Sequence, residues 1–316
     1  MCNIFACFSF NLYIANYAQN FSYKMHKATK MNITNSIETN LDMLVKSTTG
    51  LISLPEIYLK IRELMNDQAS VLDDFSVVVN GDANLAARIL KIVNSSFYGF
   101  SGQISSISRA LNFIGITQLH DLVLSISAVK SLTISSKIID MRKFWQRSIY
   151  CGVFAKRLAE KIKLRDCESF FVIGLLHEIG RLALALNYPD EFHQAHQQSI
   201  QNNQPLYKIE FDSFGFHYGQ VGQALLKEWK LPPNFQEITG HHPDLVSAQQ
   251  FIIETAIIHL AHLSAHAQET DQDLEQMAQL VDPSAWEILN TSVENIQDTV
   301  KEAKQLSKEM EQMVLG

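Results

Sequence analysis

No proline occurs between Glu56 and Tyr188 in a chain of 316 residues. Proline breaks helix interiors but is tolerated in turns, at sheet edges and in first helical turns, so its absence over that distance points to a succession of helices. The 13 glycines of the whole chain are too few for the many tight turns of a β-sandwich. With 47% apolar residues, the chain has the material for a sizeable core and is not a disordered one. The expectation is an all-α fold.

The punctuation agrees. Pro55 stands where a helix opens, and Ile57, Ile61 and Leu64 recur at helical spacing. Ser70 with Asp73 reads as a capping pair ahead of Phe75, Val78 and Val79. Asn80-Gly81 ends that helix, and Asp82 caps the next, whose stripe is Leu85, Ile89, Leu90 and Val93. A break follows at Asn94–Gly99, then a segment from Ile104 to Ile114 closed by Gly115, and then the period Leu119, Leu122, Val123, Ile126. Four further helices are expected at Phe144–Ile162, Glu168–Leu186, Phe216–Trp229 and Phe251–Ala265. Near the end, Val293, Ile296, Val300, Ala303, Leu306, Met310 and Met313 make one apolar stripe, suited to packing on the fold or to a partner.

Three domain-scale pieces follow: an extension over 1–40, a main body over 41–270 divided into 41–135 and 140–270, and a helical segment over 271–316. The extension is aromatic and uncharged before Lys24 but lacks a basic leader, so the expected start of translation is Met25 or Met31. Cys2, Cys7, Cys151 and Cys167 form no CxxC pair, which suits a reduced, cytoplasmic chain. No charge-free apolar segment reaches 18 residues, so no membrane partner is expected. A net charge of −7 argues against a general nucleic-acid binder.

Nine of the eleven histidines fall between His177 and His266. Histidine is the commonest metal ligand, but buried histidines also simply bond to backbone and to one another. The stretch Gly174-Leu-Leu-His177-Glu178-Ile-Gly-Arg181 resembles the GLLHDIGK signature of HD-domain phosphohydrolases. More broadly, Leu54 to about Ala265 resembles the HDOD family, the HD-related output domains of bacterial signalling. Its motifs appear as Leu54-Pro55, Asp82–Leu90, Asn94-Ser95, Tyr98-Gly99, Ile104–Gly115, Trp145, Ser148, Val221-Gly222, Trp229 and His241-His242.

That resemblance implies an N-terminal helical bundle packed on a degenerate HD-like helical core. In the HD hydrolases a helix histidine, the His-Asp pair and a later aspartate hold a divalent metal. Here those positions carry Arg147, His177, Glu178 and His262. The extra histidine of the HD-GYP relatives falls on Tyr218, whereas the His241-His242 pair is kept but followed by Pro243-Asp244 instead of Gly-Tyr-Pro. A guanidinium has no lone pair to give a metal. The expectations are therefore no enzyme activity, no cofactor and no catalytic metal, with Arg147 and Glu178 forming an ion pair where the metal would have been and a rearranged zinc site using His177, His241 or His262 as the weaker alternative.

The function implied is a signalling adaptor that binds regulatory proteins, of the two-component or cyclic-di-GMP type; a homodimer is compatible with it. A diverged phosphohydrolase acting on a nucleotide or cyclic dinucleotide is the alternative. A third reading is a protein that holds a nucleotide in the old pocket without cleaving it.

Overall fold

A computed structural model of the protein describes residues 40–49, 54–100, 102–132, 134 and 138–316. The expected extension apart from residue 40, with its alternative starts, lies outside these residues, as do 50–53, 101, 133 and 135–137, the last of these running into the 136–139 break between the two expected halves of the body. Among the described residues there is no strand.

Helices α1 (Glu56–Asn66), α2 (Leu72–Asn80) and α3 (Ala83–Val93) pack on α4 (Ile107–Ser131). The cap of α2 lies one residue later than expected: Val71 is the N-cap, and its N–H donates to Asp74 Oδ2 at 2.8 Å. Asp82 caps α3 as expected, accepting from the Leu85 N–H at 3.0 Å. Inside α4, Gly115 takes φ 79° and ψ 170°, a conformation open in practice only to glycine, so the helix kinks between Ile114 and Ile116.

α5 (Met141–Lys161) is the axis of the molecule. Against it lie α6 (Ser169–Leu176), α12 (Ile252–Thr270) and α15 (Val293–Val314). Between α6 and α12 the chain forms α7 (Ile179–Asn187), α8 (Pro189–Asn202), α9 (Leu206–Phe214), α10 (Tyr218–Glu228) and α11 (Pro233–His241). Two short helices, α13 (Leu274–Ala278) and α14 (Pro283–Ile288), lead into α15. The expected single helix over Glu168–Leu186 is two helices. The chain turns at His177-Glu178, where Glu178 leaves helical geometry with φ −100° and ψ 14°. The stretch Ser169–Asn187 is apolar and long enough to cross a bilayer by composition, but 94% of its most apolar 18-residue window is buried inside the fold.

Two junctions depend on missing side chains. A Cβ on Gly174 would come 2.4 Å from the Cα of Gly152, and one on Gly180 would come 1.9 Å from the Tyr218 carbonyl oxygen. Thus α5 touches α6, and α7 touches α10, backbone against backbone.

The Asn94–Gly99 break is tied to α5 by a buried cation. Lys156 donates to the Phe97 carbonyl at 3.1 Å, pairs with Glu168 Oε2 at 2.7 Å, and lies 3.9 Å from the Phe97 ring centre. An unpaired ammonium could not remain there.

α15 buries Ile296, Ala303, Leu306, Met310 and Val314 against α5 and α3, so its stripe packs on the fold. Arg88 on α3 donates to the Val314 carbonyl at 2.7 Å, satisfying one of the open carbonyls at the end of that helix.

Candidate functional site

The α5 axis, the α6–α7 turn, α10, the end of α11 and the middle of α12 all converge on one buried pocket. The turn at His177-Glu178 matters most. It swings both side chains inward, and each residue is wholly buried.

Glu178 is the electrostatic centre. Arg147 donates through Nε at 2.8 Å and Nη2 at 2.7 Å, both to Oε2. The other oxygen, Oε1, accepts from Arg181 Nη1 at 2.8 Å and from His266 Nε2 at 3.2 Å. Arg147 also reaches Glu269 Oε2 through Nη1 at 2.6 Å. The Arg147–Glu178 ion pair is as expected, but the fork does not span both oxygens; two guanidinium nitrogens share one, and Arg181 with His266 takes the second. Arg147 is not directed to solvent, its side chain being 9% exposed. Burial alone would raise the carboxyl of Glu178; the two arginines overcome it and hold the group well below the usual range.

Beyond Glu178 lie three imidazoles. His177, His242 and His262 sit at ring-centre separations of 5.0, 5.1 and 5.1 Å, nearly an equilateral triangle. Burial depresses the basicity of all three: His177 to about 4, and His242 and His262 well below the ordinary value. His177 Nδ1 donates to the Gly174 carbonyl at 2.6 Å, and His242 Nδ1 to the Thr239 carbonyl at 2.8 Å. His177 Nε2 and His262 Nδ1 are 3.0 Å apart. Tyr218 closes the group, with its hydroxyl 3.4 Å from His262 Nε2.

His241 stands apart. It bonds to the Ser247 hydroxyl at 2.7 Å and lines a separate surface hollow of about 370 Å³ with Tyr207, Phe211 and His217. One residue along the chain from His242 is enough to turn it outward. The structure adds residues that the sequence reading passed over: Arg181, Glu269 and Glu210. Arg181 follows Glu178 by three positions, the spacing at which side chains meet on one helical face. Glu210 accepts from the Tyr218 N–H at 2.7 Å, and its burial raises its carboxyl to about 7. His266, already on the face of His259 and His262, enters the pocket through Glu178, whereas His259 points away to the His242 carbonyl and the Asp282 N–H.

A divalent ion bound as in the HD hydrolases would need donors at Arg147, His177, Glu178 and His262. Arg147 has none to give, and Glu178 has both oxygens engaged by guanidinium groups. The residues present do not fit that metal.

The sequence profile of the HDOD domain matches residues 51–245. A Treponema pallidum protein of uncharacterised function is 26% identical over 65% of this chain, which spans about two fifths (41%) of that protein's length. Among solved structures, an HDOD domain protein of unknown function from Geobacter sulfurreducens superposes with a TM-score of 0.65 at 21% identity, covering 88% of this chain and 98% of its own. A Shewanella amazonensis protein, provisionally named a phosphohydrolase, gives 0.68 at 18% identity, covering 86% and 97%. A Marinobacter aquaeolei protein, provisionally named for signal transduction, gives 0.63 at 19%, covering 89% and 66%. These likenesses establish the fold, and the profile match over more than half the sequence establishes the lineage: this chain is a member of the HDOD family.

Proposed function

We propose that this protein is a non-catalytic output or adaptor module of bacterial signal transduction, acting in the cytoplasm through contacts with regulatory proteins. The observation that carries the reading is the Arg147 guanidinium, bonded to Glu178 and Glu269 at the place where an HD hydrolase holds its metal. A fixed cation with no lone pair replaces a ligand there, and the carboxylate that would face the metal is neutralised by two arginines. Such a pocket is suited to holding helices together and poorly suited to activating water. The signal-transduction name of the Marinobacter aquaeolei neighbour is in keeping with this role. The partners expected are components of two-component or cyclic-di-GMP pathways.

The test has two arms. The full chain, incubated with cyclic dinucleotides and phosphomonoesters in the presence of manganese, iron(II) or zinc, should release no product. In-cell cross-linking with mass spectrometry should recover regulatory proteins. Hydrolysis abolished by His177→Ala would overturn the reading in favour of a diverged phosphohydrolase.

A further inference from the structure

Among the buried polar atoms, His242 Nε2 has no hydrogen-bond partner. Orphaned groups of this kind are uncommon in protein interiors and call for an explanation. A carbonyl oxygen can only accept, so Nδ1 carries the hydrogen in both His177 and His242. In each neutral ring Nε2 is then a lone pair, and both rings belong to the same triangle. His262 completes it: each of the three rings offers one nitrogen, and these nitrogens lie within 4.8 Å of one another.

We propose that His177, His242 and His262 together bind one divalent cation of the zinc class through three ring nitrogens, at a buried site. Zinc takes imidazole nitrogens at about 2.0–2.1 Å in tetrahedral geometry, which places the nitrogens roughly 3.3 Å apart and the ring centres roughly 5.2 Å apart. The observed ring-centre spacings of 5.0, 5.1 and 5.1 Å and the 3.0 Å between His177 Nε2 and His262 Nδ1 are close to that arrangement. This donor set differs from that of the HD hydrolases in containing no carboxylate and nothing from the Arg147 position; His177 and His262 stand at HD ligand positions, and His242 belongs to the pair shared with the HD-GYP relatives.

The protons balance within the pocket. Without metal, His262 Nδ1–H donates to His177 Nε2. On binding, that hydrogen leaves Nδ1 and one is taken up at Nε2, which then donates to the Tyr218 hydroxyl 3.4 Å away, so the ring stays neutral. Before the ion enters, the neighbouring charges cancel. Arg147 and Arg181 are matched by Glu178 and Glu269, so the cation meets no net positive neighbourhood, and Glu178 Oε1 lies 3.8 Å from His262 Nδ1 as an outer carboxylate.

Chelator-treated full-length protein, dialysed against zinc and then against buffer, should retain one zinc per chain by elemental analysis. Cobalt(II) in its place should give the intense visible absorption of a tetrahedral site. His242→Asn keeps the bond to the Thr239 carbonyl but removes the Nε2 lone pair; it should weaken zinc by well over tenfold, about the least that loss of even an outer partner costs. His241→Ala, the exposed neighbour, should bind as the natural chain does. Zinc should also raise the melting temperature of the natural chain, reversibly with chelator. Zinc content below about one tenth per chain, or stoichiometric zinc undiminished in His242→Asn, overturns the proposal. Zinc binding together with phosphodiester cleavage would uphold the site and refute the non-catalytic reading, whereas failure to bind zinc leaves that reading untouched.

Discussion

Replacing Arg147 by alanine would leave Glu178 and Glu269 without their shared guanidinium. Breaking a buried pair by removing one partner costs about 3–5 kcal/mol, although the intact pair need add nothing over an apolar replacement. Urea denaturation of Arg147→Ala should show a loss of that order. Glu269→Ala, at the partly exposed end of the same chain of contacts, should lose less than about 1 kcal/mol. Equal losses would mean that burial of Glu178 is not what Arg147 compensates. Glu210 makes a second test, with the opposite sign from most carboxylates. Its folded pKa is raised to about 7 from an ordinary 4.5. The folded state therefore keeps a proton that the unfolded chain gives up, and stability falls as pH rises from 4.5 through 7. Glu210→Gln should stabilise the protein by about 3 kcal/mol at pH 8, with the gain vanishing near pH 4. A constant difference across that range would exclude titration of Glu210 as the cause.

Helix identities were legible in the sequence because caps and apolar spacing are local properties. Asp82 and Gly115 act as their positions suggested. The turn at His177-Glu178 was not legible, because nothing in so apolar a run marks a stop; it follows from tertiary contacts, chiefly the backbone approach of Gly180 to α10. Gly174→Ala and Gly180→Ala should each lower the melting temperature clearly, since overpacking of this kind costs about 1–3 kcal/mol or more and the obstructing atoms here are backbone. An unchanged melting temperature in both would show that the helices can slide apart freely. At the α15 interface, Met310 is fully buried, and Met310→Ala should cost about 2–5 kcal/mol. Removing the chain after Asn290 should expose the α5 face and cause precipitation or a lower melting temperature; unchanged stability with altered oligomeric mass would instead mark α15 as an interface.

Taken over the molecule, the buried histidines dominate the acid response. His177 and His217 are lowered to about 4, and His196, His242, His259, His262 and His266 are also lowered, mainly through burial. A depressed histidine contributes stability that is present above its unfolded value of 6.5 and is lost as pH falls towards its folded one. Each such group costs up to about 1.4 kcal/mol per pH unit over that window, far outweighing what Glu210 returns. Near-ultraviolet circular dichroism of chelator-treated protein should collapse between pH 6 and 4; a spectrum unchanged at pH 4 would mean that these rings are reached by water. That histidines cluster could be guessed from their density along the chain. That His242 enters the pocket and His241 does not depends on the direction in which α11 ends, which no spacing rule supplies.

The seating of α15 sets a delay into the life of each newly made chain. Ser96 bonds to Glu309 across a sequence separation of 213 residues, and Arg88 to Val314 across 226. At a translation rate of about 5–20 residues per second, roughly 10–45 s pass between synthesis of α3 and of the helix that covers it. Throughout that interval the apolar flank of α3 stays open on the ribosome, so the nascent chain offers itself to chaperones long before α15 exists.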